Sequence, residues 1–169
     1  PATGTLWWRQ RLVTSGDYAV STPVYYQGRL LIGGLMLELS KEKPAAGVLW
    51  PASTAPAQRI FSHTSTPLFQ GGYLYSARSS GELICVEAST GKQVWESTSV
   101  TEVKNGASIH LTPNGDSLLL YTDRGDLIRA RLTAEGYQEI SRARVLEPTF
   151  PFGGRKVAWS PPAYANGHV

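Results

Sequence analysis

Apolar and polar residues alternate along this chain in short runs, each ended by Gly, Pro, Ser or Asp. Around Tyr73–Arg78, Leu74 and Ser76 face one way while Tyr75 and Ala77 face the other. Ser79-Ser80-Gly81 breaks that run, and Glu82–Glu87 resumes it with Leu83 and Cys85 opposite Ile84 and Val86. A period of two is the mark of a strand, because successive side chains leave a pleated backbone on opposite faces. Ala88-Ser89-Thr90-Gly91 forms the next turn, with Gly91 free to take positive φ, and Gln93–Thr98 carries Trp95 on a further strand. With Thr66–Phe69 this gives four short strands. No window sustains a helical period, and Pro44 stops the longest polar break, Lys41–Ala46, from forming a helix.

The pattern repeats. A Ser-x-Pro-x-aromatic-x-x-Gly motif leads into aliphatic residues at Ser21–Leu30 and Ser65–Leu74, 44 residues apart, and recurs at Ser160–Val169, about two periods further on. Gly81-Glu82-Leu83-Ile84 returns 44 residues later as Gly125-Asp126-Leu127-Ile128. A Gly followed closely by Trp recurs as Gly4 to Trp8, Gly47 to Trp50 and Gly91 to Trp95. Three independent markers share one period. Four-stranded units at this spacing predict an all-β fold, a β-propeller arc of about three four-stranded antiparallel blades. A lone meander hides one side of its sheet, so blades must stack, and the recurrent Trp supplies apolar area between them. The blades fall at 13–56, 57–99 and 100–147, preceded by an outer strand in 1–12 and followed by the start of a further blade in 148–169. The expected structural anchors are Trp8, Trp50, Trp95, Gly81, Gly91 and Gly125.

Composition narrows the function. Sixteen basic and thirteen acidic residues give a net charge of +3 spread along the chain, without the basic run a nucleic-acid site would need. One cysteine, Cys85, excludes an internal disulfide and a cysteine-based zinc site. No stretch is apolar enough for a transmembrane helix.

Val86-Glu87-Ala88-Ser89-Thr90-Gly91-Lys92-Gln93-Val94-Trp95 resembles the Trp-docking repeat of pyrroloquinoline-quinone-like propellers, in which Ala-x-x-Thr-Gly-Lys-x-x-Trp ends each blade. Thr3–Trp8 resembles the end of a preceding blade, and Ala46–Trp50 is a shorter copy. At Ala134-Glu135-Gly136-Tyr137 no Trp follows, so the third blade departs from the pattern. The resemblance implies a ring of about eight blades, of which this chain carries an arc. Such an arc exposes two apolar faces, and a homodimer or larger closed assembly is expected to complete the ring. Proteins of this kind are commonly exported in bacteria, which implies a periplasmic location. The quinone itself is not carried over: the dehydrogenases of this family hold it with a vicinal cysteine pair and calcium-ligating acids, which Cys85 alone does not match.

Several residues carry candidate chemistry. Asp123 and Asp126, three apart in a hairpin, would hold a hard cation such as calcium, or else shape the turn beside Gly125 with Arg124 as partner. His63 and His110, at comparable places near inner strands, would face the channel as metal ligands or proton carriers, or be hydrogen-bonded structurally. Phe150-Pro151-Phe152-Gly153-Gly154-Arg155-Lys156 reads as a loop suited to an anion or a partner through Phe152, Arg155 and Lys156, or as a plain inter-blade connection. No nucleophile elbow or Ser-His-Asp arrangement is legible. The expected function is a propeller scaffold that binds a protein or small molecule. The alternatives are a calcium-dependent hydrolase of the lactonase kind and a quinone-dependent dehydrogenase.

Overall fold

The computed structural model describes residues 3–11, 21–51 and 61–169. The expected boundaries near residues 12 and 56 lie outside them. Among the described residues there is no helix; fourteen strands form three four-stranded antiparallel sheets and one two-stranded sheet. The first sheet runs β1 (Val24–Tyr26), β2 (Arg29–Ile32), β3 (Leu35–Leu39) and β4 (Ala46–Trp50), in chain order. The second has β5 (Leu68–Gln70), β6 (Tyr73–Ala77), β7 (Leu83–Glu87) and β8 (Gln93–Ser97). The third has β9 (Ile109–Asn114), β10 (Ser117–Thr122), β11 (Asp126–Thr133) and β12 (Gly136–Arg144). Each is a meander. This is a partial all-β propeller, as the alternation and repeat predict.

Glycine chemistry sets the tight turns. Gln27-Gly28, Gly33-Gly34 and Gly71-Gly72 join neighbouring strands through two residues that both have positive φ. That geometry twists a hairpin in the same sense as its strands, and side chains other than Asn and Asp rarely tolerate it.

The sheets stack in the same order. Inner strand β1 lies against β5, and outer strand β8 against β12. The middle sheet is buried on both faces. Leu74, Ile84 and Val86 pack with Leu31, Met36 and Trp50 of the first sheet. Tyr75, Ala77, Leu83 and Cys85 pack with Ile109, Leu118, Leu120 and Ile128 of the third. The period-two alternation therefore sends one set of side chains into each interface. Each large aliphatic side chain buried this way contributes roughly 1.5–3 kcal/mol. Burial pushes the Cys85 thiol up to about 11, so it behaves as a small apolar side chain.

The tryptophans fasten one sheet to the next. Trp50 closes the first sheet and donates its indole N–H to the Ala88 carbonyl of the second, at 2.9 Å. Trp95 closes the second and donates to the Thr133 carbonyl of the third, at 2.8 Å. Both bonds span 38 residues. Gly91 lies flat beneath the Trp50 ring, where an added Cβ would stand 2.7 Å from the indole. Trp8 is 39% exposed and has no such bond among the described residues. The third sheet lacks such a Trp; its Arg142, on β12, reaches back instead, donating to the Ser99 and Val100 carbonyls of the preceding link, both at 3.0 Å, across the same interface that Trp95 fastens.

Gly81 and Gly125 have a different task. The segment that leaves each sheet crosses directly over the middle hairpin. A Cβ at Gly81 would stand 2.6 Å from the Glu102 carbonyl oxygen, and one at Gly125 would stand 1.9 Å from that of Leu146. Both glycines also have positive φ. Glu102 and Leu146 are themselves 44 residues apart, so the close approach repeats with the period.

The expected loop Phe150–Lys156 is instead a hairpin, β13 (Phe150–Phe152) and β14 (Arg155–Val157). Gly153 and Gly154, at φ 59° and 76°, supply its two-residue turn. These strands account for the seven residues by which Ser160 overshoots two periods of 44.

Candidate functional site

The hairpin β13–β14 brings the chemically interesting residues together at one end of the arc. Asp123 follows β10, the position that Ser79 holds one period earlier. In the second sheet the Ser79 hydroxyl accepts from the His63 backbone N–H at 3.4 Å. In the third, Asp123 Oδ1 accepts from the Ser108 N–H at 3.3 Å and from the Thr101 hydroxyl at 2.9 Å. Asp123 is fully buried, and an isolated carboxylate there would be prohibitively costly.

Arg155 supplies the counter-charge. Its side chain is 5% exposed and its Nη1 stands 2.8 Å from Asp123 Oδ2. Oδ2 has no aligned hydrogen-bond donor among the described residues and is held by charge. The same guanidinium reaches Glu102 Oε2 at 3.5 Å and the carbonyls of Lys104 and Asn105 at 3.4 and 3.5 Å. Arg124, next to Asp123, approaches Glu102 at 3.8 Å and donates to the Lys156 carbonyl. The aromatic residues complete the fastening. Phe152 covers Gly106, where an added Cβ would stand 2.2 Å from its ring, and Trp159 donates to the Gly106 carbonyl at 2.7 Å. Phe152 and Trp159 meet edge to face at 4.6 Å.

His110 lies on β9 beneath Trp159. Its Nε2 is 2.8 Å from the Trp159 carbonyl oxygen and 3.2 Å from Ser108 Oγ. A carbonyl only accepts, so Nε2 carries the proton. Burial holds His110 below its usual value, partly opposed by this hydrogen bond, and keeps the ring neutral at pH 7. With Nε2 donating to Trp159, it does not accept from Ser108, and Asp123 touches the Ser108 backbone rather than the imidazole. The three side chains therefore do not form a proton-relay triad.

The other candidates separate. Asp126 is held by Arg144 at 2.6 Å and by Arg142 at 3.4 Å, so Asp123 and Asp126 each face guanidinium groups. No three His, Cys, Asp or Glu side chains cluster as metal ligands among the described residues. His63 is half-buried in the irregular segment ahead of β5, whereas His110 lies on β9 of the third sheet. Phe152 and Arg155 are turned into the fold, and Lys156 is left exposed. Thr101, Glu102, Gly106, Ser108 and Trp159 complete the cluster unanticipated. One signal pointed to it: the repeat changes Ser79 to Asp123, and a charge introduced at a buried repeat position requires a partner.

A family profile described as outer membrane protein assembly factor BamB matches residues 1–139. No curated protein matches. BamB from Moraxella catarrhalis is 17% identical, with 76% of this chain and 35% of that structure covered at a TM-score of 0.48. The quinohemoprotein alcohol dehydrogenase ADHIIG from Pseudomonas putida HK5 is 16% identical, with 78% and 22% covered and a TM-score of 0.51. A europium-containing methanol dehydrogenase is 17% identical, with 82% and 27% covered and a TM-score of 0.45. The chain spans 35% or less of these structures, and identities this low show likeness of fold alone. The family profile, which takes in most of the sequence, places the chain in the BamB-type, PQQ-like family of β-propeller repeat proteins.

Proposed function

We propose that this chain is an arc of a propeller used as a rigid binding platform in an exported bacterial protein, without a catalytic centre of its own. The observation that carries this reading is the engagement of Asp123, Asp126 and His110 within the fold. Asp123 is committed to Arg155, Asp126 to Arg142 and Arg144, and the His110 proton to the Trp159 carbonyl. A cation at either aspartate would have to displace a guanidinium. The family description, an outer membrane protein assembly factor, supports a role in bringing other proteins together and a periplasmic setting. Association of arcs through their open sheet faces belongs to the same reading.

Three measurements test it, one in the cell and two on the purified chain. Photo-crosslinkers at exposed positions, used in the native cell, are expected to trap a defined protein partner. Lactone-ring opening that EDTA abolishes would overturn the platform reading in favour of a metal-dependent hydrolase. A new visible absorbance on adding quinone and calcium would overturn it in favour of a dehydrogenase.

A further inference from the structure

Around the inserted hairpin, the outer surface combines exposed apolar side chains with two unpaired cations. Val103 lies in the segment crossing Gly81, and Val145 and Leu146 in the segment crossing Gly125. Phe150 opens the hairpin, 55% exposed although its ring meets Trp159 at 5.7 Å. All four apolar side chains are at least 41% exposed. These segments adjoin: Arg124, beside Gly125, donates to the Lys156 carbonyl, and Arg155 donates to that of Lys104.

Charge gives the surface a direction. Arg155, Arg124 and Arg144 are each matched to carboxylates. Lys104 and Lys156 have no acidic partner among the described residues. The hairpin thus brings two free ammonium groups to the edge of an apolar surface. From this we infer that this end of the arc is a docking surface for an extended, acidic segment of a partner protein, with apolar side chains seated near Phe150 and Leu146. The inference deepens the platform reading and rests on it.

Two other occupants fit less well. A second copy meeting this surface with its own would set lysine against lysine, whereas association through the open sheet faces leaves this surface free. A flat anionic membrane would also meet the exposed carboxylates of Glu102 and Glu147, which pair with Arg124 and Arg144. A threaded segment can place its charges between them.

The test uses a labelled synthetic peptide that alternates Asp and Glu with Leu and Phe, its charge-reversed Lys counterpart, and vesicles of anionic phospholipid. Fluorescence anisotropy is expected to show binding of the acidic peptide only. Raising salt from about 50 to about 500 mM should weaken it about tenfold, because exposed charges are screened within a few ångström at high salt. The K104E/K156E double variant should weaken it about tenfold, and F150S about fivefold, losses of the size expected when interface side chains are truncated or reversed. Lys156 is exposed and Lys104 half-buried, and neither side chain makes a hydrogen bond among the described residues, so an unchanged circular dichroism spectrum is expected and confirms that the variants fold. Equal binding of both peptides, binding to vesicles instead, or unchanged affinity in both variants would overturn the assignment. Those results leave the platform reading standing; only turnover or a bound quinone removes that.

Discussion

Removing the carboxylate of Asp123 is the sharpest test of how the hairpin is held. In Asp123→Ala the Arg155 guanidinium stays buried without a counter-charge, which costs about 3–5 kcal/mol. The Thr101 hydroxyl and the Ser108 N–H also lose their acceptor, worth about 1 kcal/mol together or somewhat more. A loss near 4 kcal/mol lowers the melting temperature of a domain this size by about 8–16 °C. Arg155→Met leaves the opposite charge stranded and should cost a similar amount. The double variant Asp123→Ala/Arg155→Met strands neither, so it should lose roughly 1–2 kcal/mol, well short of the sum.

Urea denaturation followed by tryptophan fluorescence measures the three losses. Stacked sheets can unfold in stages, so a local readout is needed as well. The Ala158 amide donates to the Asp123 carbonyl at 2.8 Å, and its hydrogen exchange reports whether the hairpin has come away. Exchange at Ala158 should accelerate in each single variant while Leu74 and Ile84, in the middle sheet, stay protected. Single losses below about 1 kcal/mol, or a double variant as unstable as the sum, would refute the account of this pair as a mutually dependent buried contact.

Four further outcomes follow from the geometry. Gly125→Ala should destabilise by more than about 2 kcal/mol in chemical denaturation, since the Cβ would meet the Leu146 carbonyl at 1.9 Å, while Gly115→Ala, with positive φ but open space, should cost about 1 kcal/mol. Trp50→Phe should lose about 1–3 kcal/mol in the same assay by leaving the buried Ala88 carbonyl without its donor. Because the folded-state pKa of His110 is depressed, its contribution to stability is present above the usual value of 6.5 and is lost as pH falls below it toward the folded value; melts from pH 8 to about 5 should show this decline in the wild type and not in His110→Asn. Light scattering at tens of micromolar should find the chain associated, and a monodisperse monomer would count against arcs pairing through their faces.

The scaffold was legible in the sequence because its physics repeats. Alternation around Tyr73–Glu87 marks a strand pair buried on both faces, and the 44-residue recurrence of Gly81 and Gly125 marks a close crossing that leaves no room for a side chain. The Trp spacing announced the docking of Trp50 and Trp95, although not which carbonyls receive them. The hairpin at Phe150–Val157 was harder, since Gly153-Gly154 suits a loop as well as a two-residue turn until the flanking strands are known to pair. Arg155 was misleading in a different way. A cation beside glycines and aromatics reads as an external anion site, and nothing local reveals that its carboxylate partner lies 32 residues earlier in the chain.

That pairing explains why the repeat's departures carry more information than its copies. Ser79 needs only one backbone donor, which its own sheet supplies through His63. Replacing serine by Asp123 one period later creates a charge that the third sheet cannot neutralise from within, and the compensating cation arrives on the seven residues that exceed the period. The buried charge and the inserted hairpin are therefore one feature: neither is tolerable without the other. The hairpin, once fixed by Asp123, Gly106 and the Phe152–Trp159 contact, holds Phe150 and Lys156 outward on a rigid mount. Rigidity matters there, because a surface held in its binding conformation loses little further entropy when a partner docks. Deleting Phe150–Val157 alone should thus unfold the third sheet locally around Asp123, whereas deleting it together with Asp123→Ser should leave that sheet intact and abolish acidic-peptide binding.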